Sequence, residues 1–243
     1  MKSGVDPNAM PGGGIEDRQV LASGEDRVEE EVAFIAAEFR RGFEAVEAIG
    51  RPAVTVFGSA RVGENTDEYA SARRCGALLV KDGFAVVTGG GPGVMEAANR
   101  GCREAGGLSI GFNIQLPHEQ HINPYVDRSL DFKHFFARKV MLVKAAEAFV
   151  IYPGGFGTMD ELFESLTLIQ TGKVGHFPVV LVGRAYWDPM MRWVTRSMVG
   201  RYVQSGDLDL LSVVDAPEEA VAQVVACFRR ECAHDLGAVR AVG

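Results

Sequence analysis

The sequence predicts a single-domain, doubly wound parallel β-sheet of the Rossmann-like type, with helices on both faces. Short apolar runs alternate with amphipathic segments of helical period along most of the chain. Three of the apolar runs pass directly into glycine turns, at residues 58–61, 89–93 and 153–157. Apolar strands that are flanked by glycine and separated by helices are typical of parallel sheets covered on both sides.

The N-terminal residues 1–28 are rich in Gly, Asp, Pro and Ser and show little periodicity. We therefore predict a disordered tail, followed by one α/β nucleotide-monophosphate-binding domain over residues 29–243. Residues 29–49 carry apolar side chains such as Val32, Phe39 and Val46 at helical spacing. This spacing predicts a first helix of about five turns.

Strands and helices then alternate through the first half of the domain. Each predicted strand is a short β-prone apolar run, and each predicted helix has apolar residues on one face. Gly83 is a typical helix-ending residue. The predicted elements are a strand at 53–57, a helix at 67–82, a strand at 84–88, a helix at 94–105 and a strand at 108–114.

Residues 115–130 predict a long polar connection with no regular structure. Connections of this length are uncommon in compact α/β domains and are often functional. The segment contains His118 and His121, but two histidines without a cysteine or a spaced set of carboxylates are a weak metal motif. We therefore predict no metal and no other cofactor.

The second half of the domain repeats the alternation of strands and helices. The central strand at 148–152 leads into a glycine turn, and an amphipathic helix begins near Thr158. The other predicted elements are a helix at 132–147, a strand at 178–182, a helix through Trp187, Met191 and Val194, a short extended segment at 208–212 and a helix at 216–230.

The turn at residues 153–161 (PGGFGTMDE) is the most informative stretch. Its glycines would allow positive φ angles and close approach of a ligand, and the start of a helix favours an anion such as phosphate. Two structural alternatives compete with this interpretation. Thr158 and Glu161 fit a capping box, or the glycines merely connect a strand to a helix.

In a doubly wound sheet the three glycine turns lie at the carboxyl edge, where one pocket can collect Ser59, Gly90, Gly91 and the third turn. The second turn lacks the last glycine of the dinucleotide fingerprint, and no glycine precedes Lys-Ser or Lys-Thr as in a P-loop. No convincing Ser/His/Asp arrangement is present either. These exclusions leave a monophosphate pocket without a dedicated metal.

Composition narrows the possible partners. The net charge is −7 and no block of five basic residues occurs, which argues against nucleic acid or an anionic membrane surface. The four cysteines form no CxxC pair, and no run of 18 apolar residues appears. We expect a cytoplasmic protein with reduced thiols that binds a small molecule.

Four further observations are the motifs at residues 88–96 (TGGGPGVME), 116–120 (LPHEQ), 136–141 (FARKVM) and 153–161 (PGGFGTMDE). Together these motifs resemble the LONELY GUY (LOG) family, long labelled "lysine decarboxylase-like". The resemblance covers about residues 50–200, and the N-terminal extension is similar to the longer type of the family. It implies hydrolysis of the N-glycosidic bond of cytokinin riboside 5′-monophosphates or AMP, which releases free base and ribose 5-phosphate.

Carried over by motif position, the resemblance implies that Arg138 and Glu161 form the catalytic pair. The residues that it places against substrate are Glu119, Lys139, Gly154, Gly155, Phe156, Gly157, Thr158 and Thr167. The chemistry agrees, because a carboxylate can stabilise an oxocarbenium-like cation or activate water. A nearby arginine would keep that carboxylate ionised. Without the resemblance, a solvated helix arginine would be the preferred interpretation of Arg138.

Other functions stay open at this point. A non-catalytic carrier of nucleotide or molybdenum cofactor would keep the glycine turns without needing the Arg and Glu pair. An oligomeric scaffold could use Phe132, Phe135 and Phe136 as an interface. Decarboxylation is rejected, since no lysine sits in a setting that marks a Schiff base. The resemblance also implies a homodimer or a higher assembly of dimers.

Overall fold

The computed structural model describes residues 25–116, 121–174 and 178–238, with side chains described for residues 28–229 outside the two gaps. These residues form one seven-stranded sheet in which every neighbouring pair is parallel. The strands are β1 Ala53–Phe57, β2 Ala85–Thr88, β3 Ser109–Ile114, β4 Arg128–Phe132, β5 Ala148–Ile151, β6 Val179–Val182 and β7 Leu211–Val214. The predicted fold class is confirmed.

The strand order β4-β3-β2-β1-β5-β6-β7 defines where a ligand site can form. The chain moves outward from β1 to β4 on one side, returns to the centre at β5, and moves outward to β7 on the other. A crevice at the carboxyl ends of β1 and β5 therefore opens where the winding direction reverses.

Helices cover both faces of the sheet. Their bounds are α1 Glu25–Glu47, α2 Asp67–Lys81, α3 Val94–Glu104, α4 Phe135–Lys144, α5 Phe156–Gln170, α6 Arg184–Ser197 and α7 Pro217–Ala238, with a 3₁₀ helix at Ser205–Leu210. Helices α2, α3 and α7 pack on one face, and α1, α4, α5 and α6 pack on the other. Strand β1 supplies both layers, because Val54 and Val56 face the first and Ala53 and Phe57 the second.

Two buried thiols lie in the layer that contains α2 and α3. Cys75 and Cys102 are fully buried and free, and burial raises the pKa of each to about 12. Cys227 is half-buried. Within the described part of the chain, no helix is both long and apolar enough to span a bilayer.

The structure corrects three predicted segments. Residues 128–130 belong to the edge strand β4 and not to the polar connection, and α4 begins at Phe135 instead of residue 132. Only Phe132 of β4 is buried, so this strand shows no apolar run in the sequence. Part of the predicted extended segment is the 3₁₀ helix, and β7 follows it. The predicted tail lies mostly outside the described residues, and α1 begins at Glu25.

Candidate functional site

The three glycine turns meet at the carboxyl edge of the sheet, around a cleft of about 700 Å³. This volume is in the usual range for small-molecule sites. Strand β1 provides the turn at 58–61, β2 provides Gly89, and β5 leads into the third turn. The described residues that line the cleft are 57–61, Gly89, Met95, Phe135, Arg138, 154–161 and Tyr186.

The backbone of Ser59 connects the three turns. Its N–H donates to Pro153 O at 2.9 Å, and its carbonyl accepts from Val94 N–H at 3.0 Å. Gly93 sits close to this junction with φ +70°, and a Cβ there would lie 2.3 Å from Ser59 O. Glycine is therefore required at position 93, both because φ is positive and because a Cβ would clash with Ser59 O. These hydrogen bonds join the three turns into one rim.

Helix α5 starts at the floor of the cleft. It begins at Phe156 and not at Thr158, with Gly155 at the N-cap position and no side-chain cap. Thr158 lies within the first helical turn, so the capping-box interpretation of Thr158 and Glu161 is wrong. The first N–H groups of the helix have no intrahelical partners and remain available to solvent or to a ligand.

The glycines of the third turn act differently from the prediction. None of Gly154, Gly155 and Gly157 has a positive φ angle, whereas Gly90 does. Gly154 is required because a Cβ there would lie 2.1 Å from Oγ1 of the buried Thr158. Gly155 and Gly157 face open space, with no atom within 4 Å of a built Cβ. Their role is to leave room above the helix start.

Arg138 is held on two sides. Its Nε donates to Phe112 O at 2.8 Å, and its guanidinium lies over Gly89, where a Cβ would be 2.1 Å from Nη2. Burial lowers the pKa of Arg138, and the charge of Glu161 opposes that change. Arg138 is therefore not the freely solvated helix arginine of the alternative interpretation.

Glu161 is the acid of the cleft. Burial raises its pKa to about 7, against the opposing charges of Arg138 and Lys139. The expectation that a neighbouring cation keeps Glu161 fully ionised is therefore wrong near neutral pH, because desolvation has the larger effect. Its Oε2 is buried and has no hydrogen-bond partner among the described residues.

Several predicted site residues lie away from the cleft. Gly90 and Gly91 are buried residues of the second turn that do not line the cleft, and their carbonyls accept from Asn123 Nδ2. Thr167 donates to Phe163 O and does not line the cleft. Lys139 bridges α4 to α5 through ion pairs with Asp160 (2.9 Å) and Glu164 (3.0 Å), again outside the lining. Glu119 and His118 lie outside the described residues.

Sequence reasoning did not identify Gly89, Met95, Phe135 or Tyr186 as residues of the cleft. Tyr186 lies in the first turn of α6 and donates its hydroxyl to Gly154 O at 2.6 Å, a contact that no sequence motif indicates. Gly89 could have been found as the first glycine after β2. Across the described residues, no group of three or more His, Cys, Asp or Glu side chains could hold a metal ion.

Residues 95–224 match a family model described as "Possible lysine decarboxylase". A probable cytokinin riboside 5′-monophosphate phosphoribohydrolase of Oryza sativa subsp. japonica is 30% identical, over 60% of this chain and 60% of its own length. A cytokinin riboside 5′-monophosphate phosphoribohydrolase of Mycobacterium tuberculosis is 28% identical, over 62% of this chain and 81% of its own.

Solved structures give a second comparison. The molybdenum cofactor carrier protein of Chlamydomonas reinhardtii is 25% identical with a TM-score of 0.54, covering 74% of this chain and 99% of its own. The molybdenum cofactor binding protein of Rippkaea orientalis has the same TM-score at 21% identity, covering 71% of this chain and 94% of its own. The latter shows similarity of fold alone.

Proposed function

The chain belongs to the possible lysine decarboxylase (LOG) family, and from this premise we propose that it hydrolyses the N-glycosidic bond of a purine nucleoside 5′-monophosphate. The products are the free base and ribose 5-phosphate. The proposed substrates are cytokinin riboside 5′-monophosphates, AMP or both. Relatives with phosphoribohydrolase names support this assignment, and the chemistry of the cleft supports it independently.

The observation that carries the proposal is the buried Glu161 carboxyl. Its Oε2 has no hydrogen-bond partner among the described residues, and the charge of Arg138 favours its ionised form. As the bond from C1′ to the base breaks, its electron pair leaves with the base and positive charge develops on the ribose. Ionised Glu161 stabilises that charge and accepts a proton from the water that adds to C1′. The base takes its proton from solvent.

The phosphate is proposed to bind at the start of α5. Uncapped N–H groups and the positive end of the helix dipole favour an anion there, and Gly155 and Gly157 leave space for it. Thr158 and Glu161 are separated by about one helical turn. A phosphate beside Thr158 would therefore place the ribose of the same nucleotide near Glu161.

The older decarboxylase label finds no support in the cleft. A pyridoxal-phosphate enzyme needs a lysine that forms a Schiff base with the cofactor. None of the described residues that line the cleft is a lysine. Lys139 is the nearest candidate in sequence, and it is engaged by Asp160 and Glu164.

A carrier of nucleotide or molybdenum cofactor is the second candidate. The similarity to the Chlamydomonas reinhardtii carrier favours it, since 99% of that chain is covered. A carrier needs the rim of glycine turns and the anion site, but it does not need a carboxylate of raised pKa. The presence of Glu161 in the cleft is the reason to rank hydrolysis first.

The proposed enzyme works as a homodimer or a higher assembly of dimers. Large apolar side chains are exposed on α4 and α5 beside the cleft, and they are Phe135, Phe136, Val140, Phe156 and Phe163. Exposed apolar groups of this kind mark interaction surfaces. Phe132 does not belong to the surface, because it is fully buried in β4, so the scaffold interpretation retains only Phe135 and Phe136 of its three residues.

The test is incubation of the purified protein with AMP and with isopentenyladenosine 5′-monophosphate, followed by chromatography of the released base. Glu161→Gln and Glu161→Ala should release none, because both lack the carboxylate. Glu164→Gln is the matched control on the same helix and should retain activity. If the wild type binds both nucleotides and cleaves neither, the carrier function replaces hydrolysis.

A further inference from the structure

A buried histidine connects the N-terminal helix α1 to the helix that carries Arg138. His134 is fully buried, with Nδ1 at 2.6 Å from Oε2 of Glu38 and Nε2 at 3.0 Å from Oε1 of Glu31. Both glutamates belong to α1. Since a carboxylate oxygen can only accept a hydrogen bond, both contacts are satisfied when both ring nitrogens donate.

Neighbouring residues make further contacts with this Glu31–His134–Glu38 cluster. Glu38 is itself buried, and its Oε1 accepts from the backbone N–H of Lys133 at 2.5 Å. The Lys133 ammonium lies 3.8 Å from Glu31. Phe136 stacks on the imidazole with ring centroids 4.9 Å apart. None of the three cluster residues lines the cleft, so the cluster does not touch a ligand bound there.

The cluster is nevertheless coupled directly to Arg138. His134 is the N-cap residue of α4, and its carbonyl accepts the backbone N–H of Arg138 at 3.2 Å. The guanidinium has little freedom, because it is fixed to Phe112 O and lies against Gly89. A displacement of His134 therefore moves Arg138 and disturbs the contacts of its guanidinium with Phe112 O and Gly89.

Buried polar side chains are a costly way to attach one helix to another, because they lose their hydration on burial. What they provide is one defined geometry, since both partners of each hydrogen bond must be aligned. The use of three charged or polar groups here indicates that the orientation of α4 matters as well as its attachment.

We propose that His134, Glu38 and Glu31 are positioning residues that hold α4 so that Arg138 faces Glu161. The proposal rests on the proposed function of the Arg138 and Glu161 pair. It assigns a role in the active site to α1, which lies outside the motifs that resemble the family. The role is indirect, since it is exerted through Arg138.

The first readout is the Nε–H signal of Arg138 in side-chain nitrogen NMR spectra of the full chain, assigned with Arg138→Lys. In Glu38→Gln we expect a shifted signal with faster solvent exchange, because the Nε–H no longer stays on Phe112 O. Glu44→Gln, which removes an exposed carboxylate from the same helix, should leave the signal unchanged. His134→Leu/Glu38→Met replaces the buried pair by apolar groups that keep the packing, and it should change the signal as Glu38→Gln does.

The second readout is release of adenine from AMP. The cluster variants should lose at least about tenfold in kcat with a smaller change in KM, since misplacement affects the transition state most. An unchanged Arg138 signal in a folded cluster variant overturns the proposal, whatever happens to kcat or melting temperature. The NMR readout needs no turnover, so it decides the positioning role even if the wild type cleaves no nucleotide.

Discussion

At the scale of single residues, burial and an arginine act in opposite directions on Glu161. Burial has the larger effect, and the pKa of about 7 lies well above the ordinary value of 4.5 for a glutamate. The folded protein therefore binds this proton more tightly than the unfolded chain. The associated stability is present below about pH 4.5 and is lost as the pH rises through about 7.

The same pKa predicts the pH dependence of the proposed reaction. Only ionised Glu161 can accept a proton from water, so kcat/KM should fall about tenfold per pH unit below about pH 7 and level off above about pH 8. The profile should be measured with AMP between about pH 5.5 and about pH 9. Glu164→Gln should keep this limb with its midpoint at slightly lower pH, because the charge of Glu164 also raises the pKa of Glu161. A flat profile from about pH 6 to about pH 8 contradicts the assignment of Glu161.

Gly89→Ala tests the fit between Arg138 and the second turn. The added Cβ would lie 2.1 Å from Nη2, so the guanidinium must move. We expect kcat/KM to fall about a hundredfold, as small misplacements of catalytic groups can cause. Gly63→Ala, where nothing lies within 4 Å of the new Cβ, should behave as wild type. Equal activity of the two variants would show that Arg138 tolerates displacement.

At the scale of elements, hydrogen bonds hold the irregular turns that connect the strands to the helices. Ser59 joins the first turn to the other two, and Tyr186 joins α6 to the third. Asn123, from the connection after β3, holds the second turn through the carbonyls of Gly90 and Gly91. The connection therefore supports the second turn through the buried amide of Asn123.

Asn123→Ala should destabilise the protein by about 2 kcal/mol, since Gly91 O and Tyr125 N–H lose this hydrogen-bond partner at about 1 kcal/mol each, whereas Gly90 O keeps the backbone N–H of residue 123. The Asn123 amide donates to Gly90 O, Gly91 O and Asn99 Oδ1 and accepts from Tyr125 N–H. Urea denaturation measures the change. Asn65→Ala, at an exposed asparagine, should change the free energy of unfolding by less than about 0.5 kcal/mol.

The elements differ in how well the sequence predicts them. Buried strands and amphipathic helices follow from periodicity, because burial on one or both faces dictates which residues are apolar. The edge strand β4 does not, since Phe132 is its only buried residue. The sequence places the start of α5 two residues late because Thr158 suits a cap position, whereas in the structure Thr158 lies inside the helix and packs against Gly154.

The candidate site also contains parts that the sequence predicts and parts that it does not. The turns and the Arg138 and Glu161 pair are visible as motifs, and the structure brings both side chains to the cleft. Tyr186 and Phe135 could not be predicted, because their place in the cleft depends on how helices from distant parts of the chain pack. The cluster around His134 joins residues about a hundred positions apart, which no local pattern indicates.

At the scale of the whole molecule, the exposed apolar residues of α4 and α5 predict self-association. Val140→Glu places a charge in this surface and should convert a dimer or larger assembly into monomers with lower activity. Sedimentation velocity measures the change. Ala222→Glu, at an exposed position on α7 across the sheet, is the control and should sediment as wild type. A monomeric wild type would contradict the proposed assembly.

The order of the strands also has a consequence for how the protein forms. Every pairing joins two strands that are neighbours in sequence, except that of β1 with β5, which joins an N-terminal half to a C-terminal half. Pairings between distant segments are the slow ones, because a long loop must close first. The cleft lies across this junction. Refolding monitored by nucleotide binding should therefore lag behind the recovery of helix and strand content, and binding would report the docking of the two halves.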